Sequence, residues 1–195
     1  MLLKSLEFIR EQLNIFLDSF PPGNPPLPKP AKLENVAGLD DTTLQNADNI
    51  FITLVNLSEE ATLKNTPNYV KENFNTIYRN PPVFLNLFVL FSSCFKNYNQ
   101  ALLFLTRTVE FFQGKNTFSV KNSVTQVTGL ENLKIVMDLY SPTFEQANYL
   151  WSTLGGKQRP FVLYKMRLVE IERESKEEIR GVIREIAVQD ENSIQ

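Results

Sequence analysis

Asn49-Ile-Phe-Ile-Thr-Leu-Val-Asn-Leu57 is the stretch that decides how this chain folds. Apolar and β-branched residues fill both alternating sets of positions, which is the pattern of a central strand covered on both faces. A second run of the same kind, Val83-Phe-Leu-Asn-Leu-Phe-Val-Leu-Phe91, follows Pro81-Pro82. Prolines can stand at the entry of a strand but not in its middle, where the ladder needs their missing N–H. Two doubly covered strands predict a sheet with packing layers on both sides.

Further elements lie outward from these two. Leu133 to Tyr140 and Phe161 to Ile171 alternate as strands, so the expected sheet has strands near 50–58, 82–95, 132–140 and 161–171. Leu33 to Val36 and Thr117 to Val120 read as shorter strands, and Asp40-Asp41-Thr-Thr reads as a turn. Leu2, Leu6, Ile9, Leu13, Phe16, Leu17 and Phe20 recur at three- and four-residue steps, with Asn14 among the polar residues opposite, which predicts an amphipathic helix over 2–20. Asn97 with Gln100, and Thr143 with Gln146, have capping-box spacing and open helices over 98–113 and 144–154. On the former, Tyr98, Ala101, Leu102, Leu105, Val109 and Phe112 form the main stripe, while Leu103, Phe104 and Phe111 project elsewhere. A helix apolar nearly all round must be covered on more than one side, by the sheet and first helix or by a second subunit, which makes Phe104 and Phe111 candidate interface residues. On the last helix Trp151 is expected to anchor the core among Tyr140, Phe144 and Leu150. The fold expected is α+β: a mainly antiparallel or mixed sheet packed by about three helices, one domain over 1–171 with an extended, charged tail over 172–195.

The connections differ in character. Six of the ten residues from Pro21 to Pro30 are proline, and such a run favours an extended linker or surface loop. From Glu59 to Asn80 core periodicity is lost, predicting a long polar loop whose Lys64, Asn65, Asn68 and Tyr69 are candidates for contact with a partner. Between 80 and 130 only Lys96, Arg107, Glu110, Lys115 and Lys121 are charged, whereas residues 165–191 are dense in both signs. In that tail Ile179, Val182, Ile183 and Ile186 have helical spacing, but Val182, Ile186 and Val188 equally suit one face of a strand. If the tail is a strand, Val182, Ile183, Ile186 and Val188 can add to a partner's sheet, with Arg180 and Arg184 fixing register by charge pairing.

Chemistry is harder to find. The 195 residues carry 20 basic and 22 acidic side chains, a balance without the basic field that draws a protein to nucleic acid. There is no histidine, which removes the commonest general base and the commonest zinc ligand together. Leu154-Gly-Gly-Lys-Gln158 ends like a phosphate-binding loop but lacks the upstream glycine and the hydroxyl residue after Lys157. Asp40-Asp41 and Glu59-Glu60 are adjacent pairs that a strand would point to opposite faces. The single cysteine, Cys94, has no histidine partner and ends an apolar strand. The charged N-terminal helix does not read as a secretion signal, and the longest apolar stretch is too short and too interrupted to span a bilayer. These readings predict a non-enzymatic protein without metal or cofactor, assembled in a reducing cytoplasm.

Several segments, in order, carry a resemblance: Glu59-Glu-Ala-Thr-Leu-Lys-Asn-Thr-Pro-Asn-Tyr69, Asn80-Pro-Pro-Val-Phe-Leu-Asn-Leu-Phe-Val-Leu-Phe-Ser92, Phe111-Phe-Gln-Gly-Lys-Asn-Thr-Phe118, and Phe144-Glu-Gln-Ala-Asn-Tyr-Leu-Trp-Ser-Thr-Leu-Gly-Gly-Lys157 running on to Phe161-Val-Leu-Tyr-Lys-Met-Arg-Leu-Val169. Together they resemble the cap, or tail-terminator, proteins of extracellular contractile injection systems, phage-tail-like particles such as antifeeding prophages and virulence cassettes. The resemblance implies a structural subunit that forms a homo-hexameric ring on the baseplate-distal end of the tail, touches the inner tube protein and the sheath protein, and ends their polymerisation. It implies a place in an assembled particle, with no nucleic acid bound and no insertion into a membrane. A subunit elsewhere in such a particle, as in the baseplate, and a free-standing peptide-binding module are the other readings.

Overall fold

The alternation in the two central runs sorts their side chains onto two faces. Ile50 and Ile52 point to one side of the sheet and Phe51 to the other, and along the neighbouring strand Leu87, Val89 and Phe91 oppose Leu90. The computed structural model describes residues 2–20, 30–60, 69–72, 75–78, 83–119, 122–123, 134–155, 157–171 and 178–181, with the backbone alone at 69–72, 75–78, 168–171 and 178–181. In chain order the elements are α1 (Leu2–Asp18), β1 (Ala31–Leu33), a 3-10 turn (Val36–Gly38), α2 (Asp41–Gln45), β2 (Asn49–Glu59), β3 (Tyr69–Glu72), β4 (Asn75–Tyr78), β5 (Val83–Cys94), α3 (Tyr98–Gly114), β6 (Thr117–Ser119), β7 (Lys134–Tyr140), α4 (Phe144–Thr153), β8 (Phe161–Ile171) and β9 (Glu178–Gly181).

Six strands form one sheet in the order β1-β2-β5-β8-β7-β6, in which β1 runs parallel to β2 and every other pair is antiparallel. The expected mixed α+β domain is what the chain adopts, and all four long strands are present. α1 and α3 lie on one face, over Ile50, Ile52, Leu87, Val89, Phe91, Ile135, Tyr164 and Met166. The other face carries a smaller core of Val36, Leu44, Phe51, Leu90, Cys94, Trp151 and Leu163, closed by the short α2 and by α4.

Three local readings are corrected. Asp40-Asp41-Thr-Thr opens a helix instead of a turn: the Asp40 carboxylate accepts from the Thr43 N–H at 3.3 Å and caps α2. Asn14, placed by periodicity on the wet side of α1, is buried. Its amide donates to the Ala31 carbonyl at 3.0 Å and accepts from the Ala31 N–H at 2.9 Å, so it replaces the N–H and C=O that one residue of a neighbouring strand would offer β1. The segment 59–80 also contains more than loop, because β3 and β4 form an antiparallel pair there and β9 adds to β4 with Thr76 opposite Arg180. Strands of four residues are too short to show a period, which is why the sequence pattern conceals them. Residues 178–181 are therefore strand, and their sheet partner is their own chain; residues 182–195 lie outside the described set.

Candidate contact surfaces

The candidate site is a set of surfaces, and α3 supplies the first. Its N-cap Asn97 accepts from the Asn99 N–H at 2.9 Å, and at its start the Ser93 hydroxyl of β5 donates to the Ala101 carbonyl at 2.7 Å. The buried residues of α3 are Ala101, Thr108, Phe111 and Phe112, with Phe104 packed against the core. Phe104 stacks on Phe95 at 4.7 Å and 11°, and Phe111 lies between Phe16 at 5.3 Å and Phe118 at 5.4 Å. The stripe read from the sequence is thus split, because the large rings win the inward positions and turn Tyr98, Leu102 and Leu103 to the surface. Tyr98 is 64% exposed, and the three form an apolar ridge. Phe111, a candidate for a subunit interface, is absorbed into the core of its own chain, and Phe104 is half-buried there.

A second surface flanks α4 on the opposite face of the sheet. The capping box expected at Thr143 is complete: the Gln146 N–H donates to the Thr143 hydroxyl at 3.3 Å, and the Thr143 N–H donates to the Gln146 side-chain oxygen at 3.0 Å. That cap fixes how α4 leaves β7. Trp151 packs edge-on to Phe161 at 5.6 Å and is buried, as expected of an anchor. Phe144 is two turns back on the same side of the helix, yet it is 97% exposed and does not join Trp151. The place its partner would fill is an open hollow of about 640 Å³ bounded by Leu139, Tyr140, Phe144, Ala147, Phe161 and Val162. A second hollow of about 430 Å³, lined among others by Val55, Phe88, Tyr149 and Leu150, shares Tyr140, Pro142 and Leu163 with the first. Among the described residues, none that lines either hollow is charged. Residue patterning missed this surface; the signal available was the apolar run Leu139-Tyr140 and Phe144 flanking the turn at Ser141-Pro142.

Electrostatics around these surfaces is quiet. Asp41 pairs with Lys157 at 3.1 Å, Asp138 with Arg167 at 2.8 Å, and Glu60 with Lys165 at 3.6 Å while also accepting from the Asn86 amide at 2.9 Å. Such partly exposed pairs contribute little to stability. Burial pushes the Cys94 thiol up, against an opposing pull from Arg159, so it is a poor nucleophile. Burial likewise pushes the Tyr164 hydroxyl up to about 12. Among the described residues no cluster of three or more carboxylates or thiols could hold a metal ion, and no helix is long and apolar enough to cross a membrane.

Of the remaining candidates, Tyr69 stands in β3 and Arg180 in β9, both in the three-stranded sheet. Lys64, Asn65, Asn68, Val182, Ile183, Arg184, Ile186 and Val188 lie outside the described residues.

A mixed six-stranded sheet with helices on both faces, apolar hollows beside α4 and a three-stranded second sheet define an α+β domain. Residues 6–185 match the family model of the Pvc16 N-terminal domain, and the chain belongs to that family. Its fold is similar to the sheath/tube terminator of the PVC extracellular contractile injection system in its extended state, with a TM-score of 0.62 at 12% identity over 99% of this chain and 65% of that one. It is similar in the same degree to the tube-terminating cap of the anti-feeding prophage, with a TM-score of 0.62 at 11% identity over 97% of this chain and 61% of that one. The chain therefore spans just under two thirds of the length of each. No curated protein matches it.

Proposed function

We propose that this chain is a structural cap of a contractile, phage-tail-like injection particle, forming a hexameric ring on the baseplate-distal end of tube and sheath and ending their polymerisation. The observation that carries this reading is family membership over residues 6–185, together with a fold shared along nearly the whole chain with two terminators. The surfaces support it. Exposed Tyr98, Leu102 and Leu103 on α3 and the hollows beside α4 are two different apolar surfaces, and a head-to-tail contact between copies joins two different surfaces. Such a contact closes into a ring when each step turns through the right angle. Growth stops when the outer face of that ring offers no template for the next layer.

Within this reading Lys64, Asn65, Asn68 and Tyr69 contact the tube or a neighbouring copy. Arg180 and the segment containing Val182, Ile183, Arg184, Ile186 and Val188 face the sheath as part of a 172–195 arm. Because β9 already pairs with β4, a sheath strand would have to add at the edge of β9 or β3 that no described strand occupies, or pair with residues beyond Gly181. The protein acts without catalytic turnover, assembles in the cytoplasm and ends as part of a finished particle.

Deleting the gene and imaging the particles by electron microscopy tests this. Tubes and sheaths of irregular length, or sheaths that do not stay extended, are expected. Particles of normal length with stable extended sheaths would rule the cap role out.

A further inference from the structure

Both edges of the six-stranded sheet carry a small device of the same kind. In a parallel ladder the N–H and C=O of one residue point to the same side. Ile50 N–H donates to Pro30 and Glu34 N–H donates to Ile52, so residues 30, 32 and 34 face β2 and Ala31 faces outward. That outward pair is the one occupied by the Asn14 amide. At the far edge Met137 N–H donates to the Asn116 carbonyl, so residues 116 and 118 face β7 and residues 117 and 119 face outward. There the Asn122 amide donates to the Thr117 carbonyl at 3.1 Å and accepts from the Ser119 N–H at 2.7 Å. The backbone of Asn122 is itself held, since the Lys115 ammonium donates to its carbonyl. Each asparagine imitates the same-side N–H and C=O that one residue of an absent strand would present.

The two edges differ in what lies outside them. Asn14 is buried on α1, which covers that edge; Asn122 is exposed, and among the described residues no strand pairs with the edge at which it stands. The two groups it engages have a particular symmetry. If two copies of β6 run antiparallel with Phe118 opposite Phe118, the outward Ser119 N–H of each meets the outward Thr117 carbonyl of the other. The β6 edge is self-complementary, and Asn122 occupies two of the four outward groups that the match uses, the others being the Thr117 N–H and the Ser119 carbonyl. An edge with unpaired donors and acceptors is a template for association unless something blunts it.

We propose that Asn122 is a plug that keeps the β6 edge from pairing with β6 of a second copy of this chain. This contact is two-fold and isologous, so it would compete with a head-to-tail ring and not help build one. The proposal stands on the hydrogen-bond geometry of the edge and does not depend on the cap reading.

The test uses the full chain and two variants, Asn122→Ala and Asn122→Ala combined with Ser119→Pro. Proline removes the outward N–H and is tolerated on an edge strand. In sedimentation velocity at rising concentration, Asn122→Ala should give a species of double the parent's mass, and the double variant should return to the parent's mass. Circular dichroism confirms that the variants fold. A folded Asn122→Ala that keeps the parent's mass, or a double variant that still doubles, would overturn the proposal. Amide hydrogen exchange on the unaltered chain gives an independent reading: the Ser119 N–H should exchange slowly in dilute solution, and exchange at the rate of a free amide would overturn it as well.

Discussion

The two faces of the six-stranded sheet are built for different ends. Under α1 and α3 the core is thick and rich in rings: Phe91 meets Phe112 at 5.2 Å and Tyr164 at 5.7 Å, Phe112 meets Tyr164 at 4.5 Å, and Phe118 lies fully buried beside them. Under α2 and α4 the core is smaller, its ring pairs among the described residues are Trp151 with Phe161 and Phe88 with Tyr140, and open hollows of about 640 and 430 Å³ border it. Two helices of 17 residues seal the first face, whereas helices of 5 and 10 residues leave the second partly open. The comparison teaches that the larger buried apolar cluster, and with it most of the ring packing, lies on one face, while exposed apolar surface borders the smaller cluster on the other.

Core truncation is the most direct way to break that comparison. Phe91→Ala removes a fully buried ring from the aromatic cluster and should cost about 4–5 kcal/mol in urea denaturation, near the top of the range for such substitutions. Trp151→Ala removes a larger side chain from the thinner core, where hollows already reach the neighbouring residues, and should cost about 3 kcal/mol. If Trp151→Ala proves the more damaging of the two, the second face is as tightly built as the first.

Alkali probes the dryness of the first core. Tyr164 is pushed up to about 12 from 10.0 by burial, so its neutral form is favoured in the folded state. Its contribution is therefore complete below about pH 10 and is lost as pH rises toward about 12, an effect of about 2–3 kcal/mol by linkage. Tyr164→Phe should flatten this part of the stability-against-pH curve. An unchanged slope in the variant would mean that another group causes the alkaline loss.

The smallest effect on stability should come from the contact face. Phe144→Ser alters a ring that is 97% exposed, so its denaturation midpoint should shift by less than about 0.5 kcal/mol. Its effect should appear in assembly, where self-association measured by sedimentation weakens. A variant that lost stability but associated normally would move Phe144 from contact to structure.

Much of the fold was legible because long elements repeat their pattern many times. The runs at 49–57 and 83–91 gave β2 and β5, and the three- and four-residue spacing from Leu2 gave α1. The cap at Thr143 was legible too, since a capping box is a local chemical motif. What escaped was short or non-local. The start of α2, a helix of five residues, reads as a turn, and β3, β4 and β9 are each only four residues long. Of the candidate contact residues, Phe111 is buried in its own chain, while Leu139, Phe144 and Tyr149 emerged only from the arrangement of α4 on the sheet.

The sequence by itself determined that the sheet would be central and covered on both faces, because backbone geometry alternates side chains strictly and apolar residues on both sides must leave water. Only the tertiary structure decided which apolar residues of α3 and α4 turned inward. Ring-to-ring packing against Phe16, Phe95 and Phe118 claimed Phe104 and Phe111 for the core, while Phe144, on the same side of its helix as Trp151, found no wall to meet. Likewise Asn14 and Asn122 read as ordinary polar residues until pairing fixed which backbone groups at the sheet edges faced outward, since a side chain seventeen residues from its partner, as Asn14 is from Ala31, leaves no periodic trace in the chain.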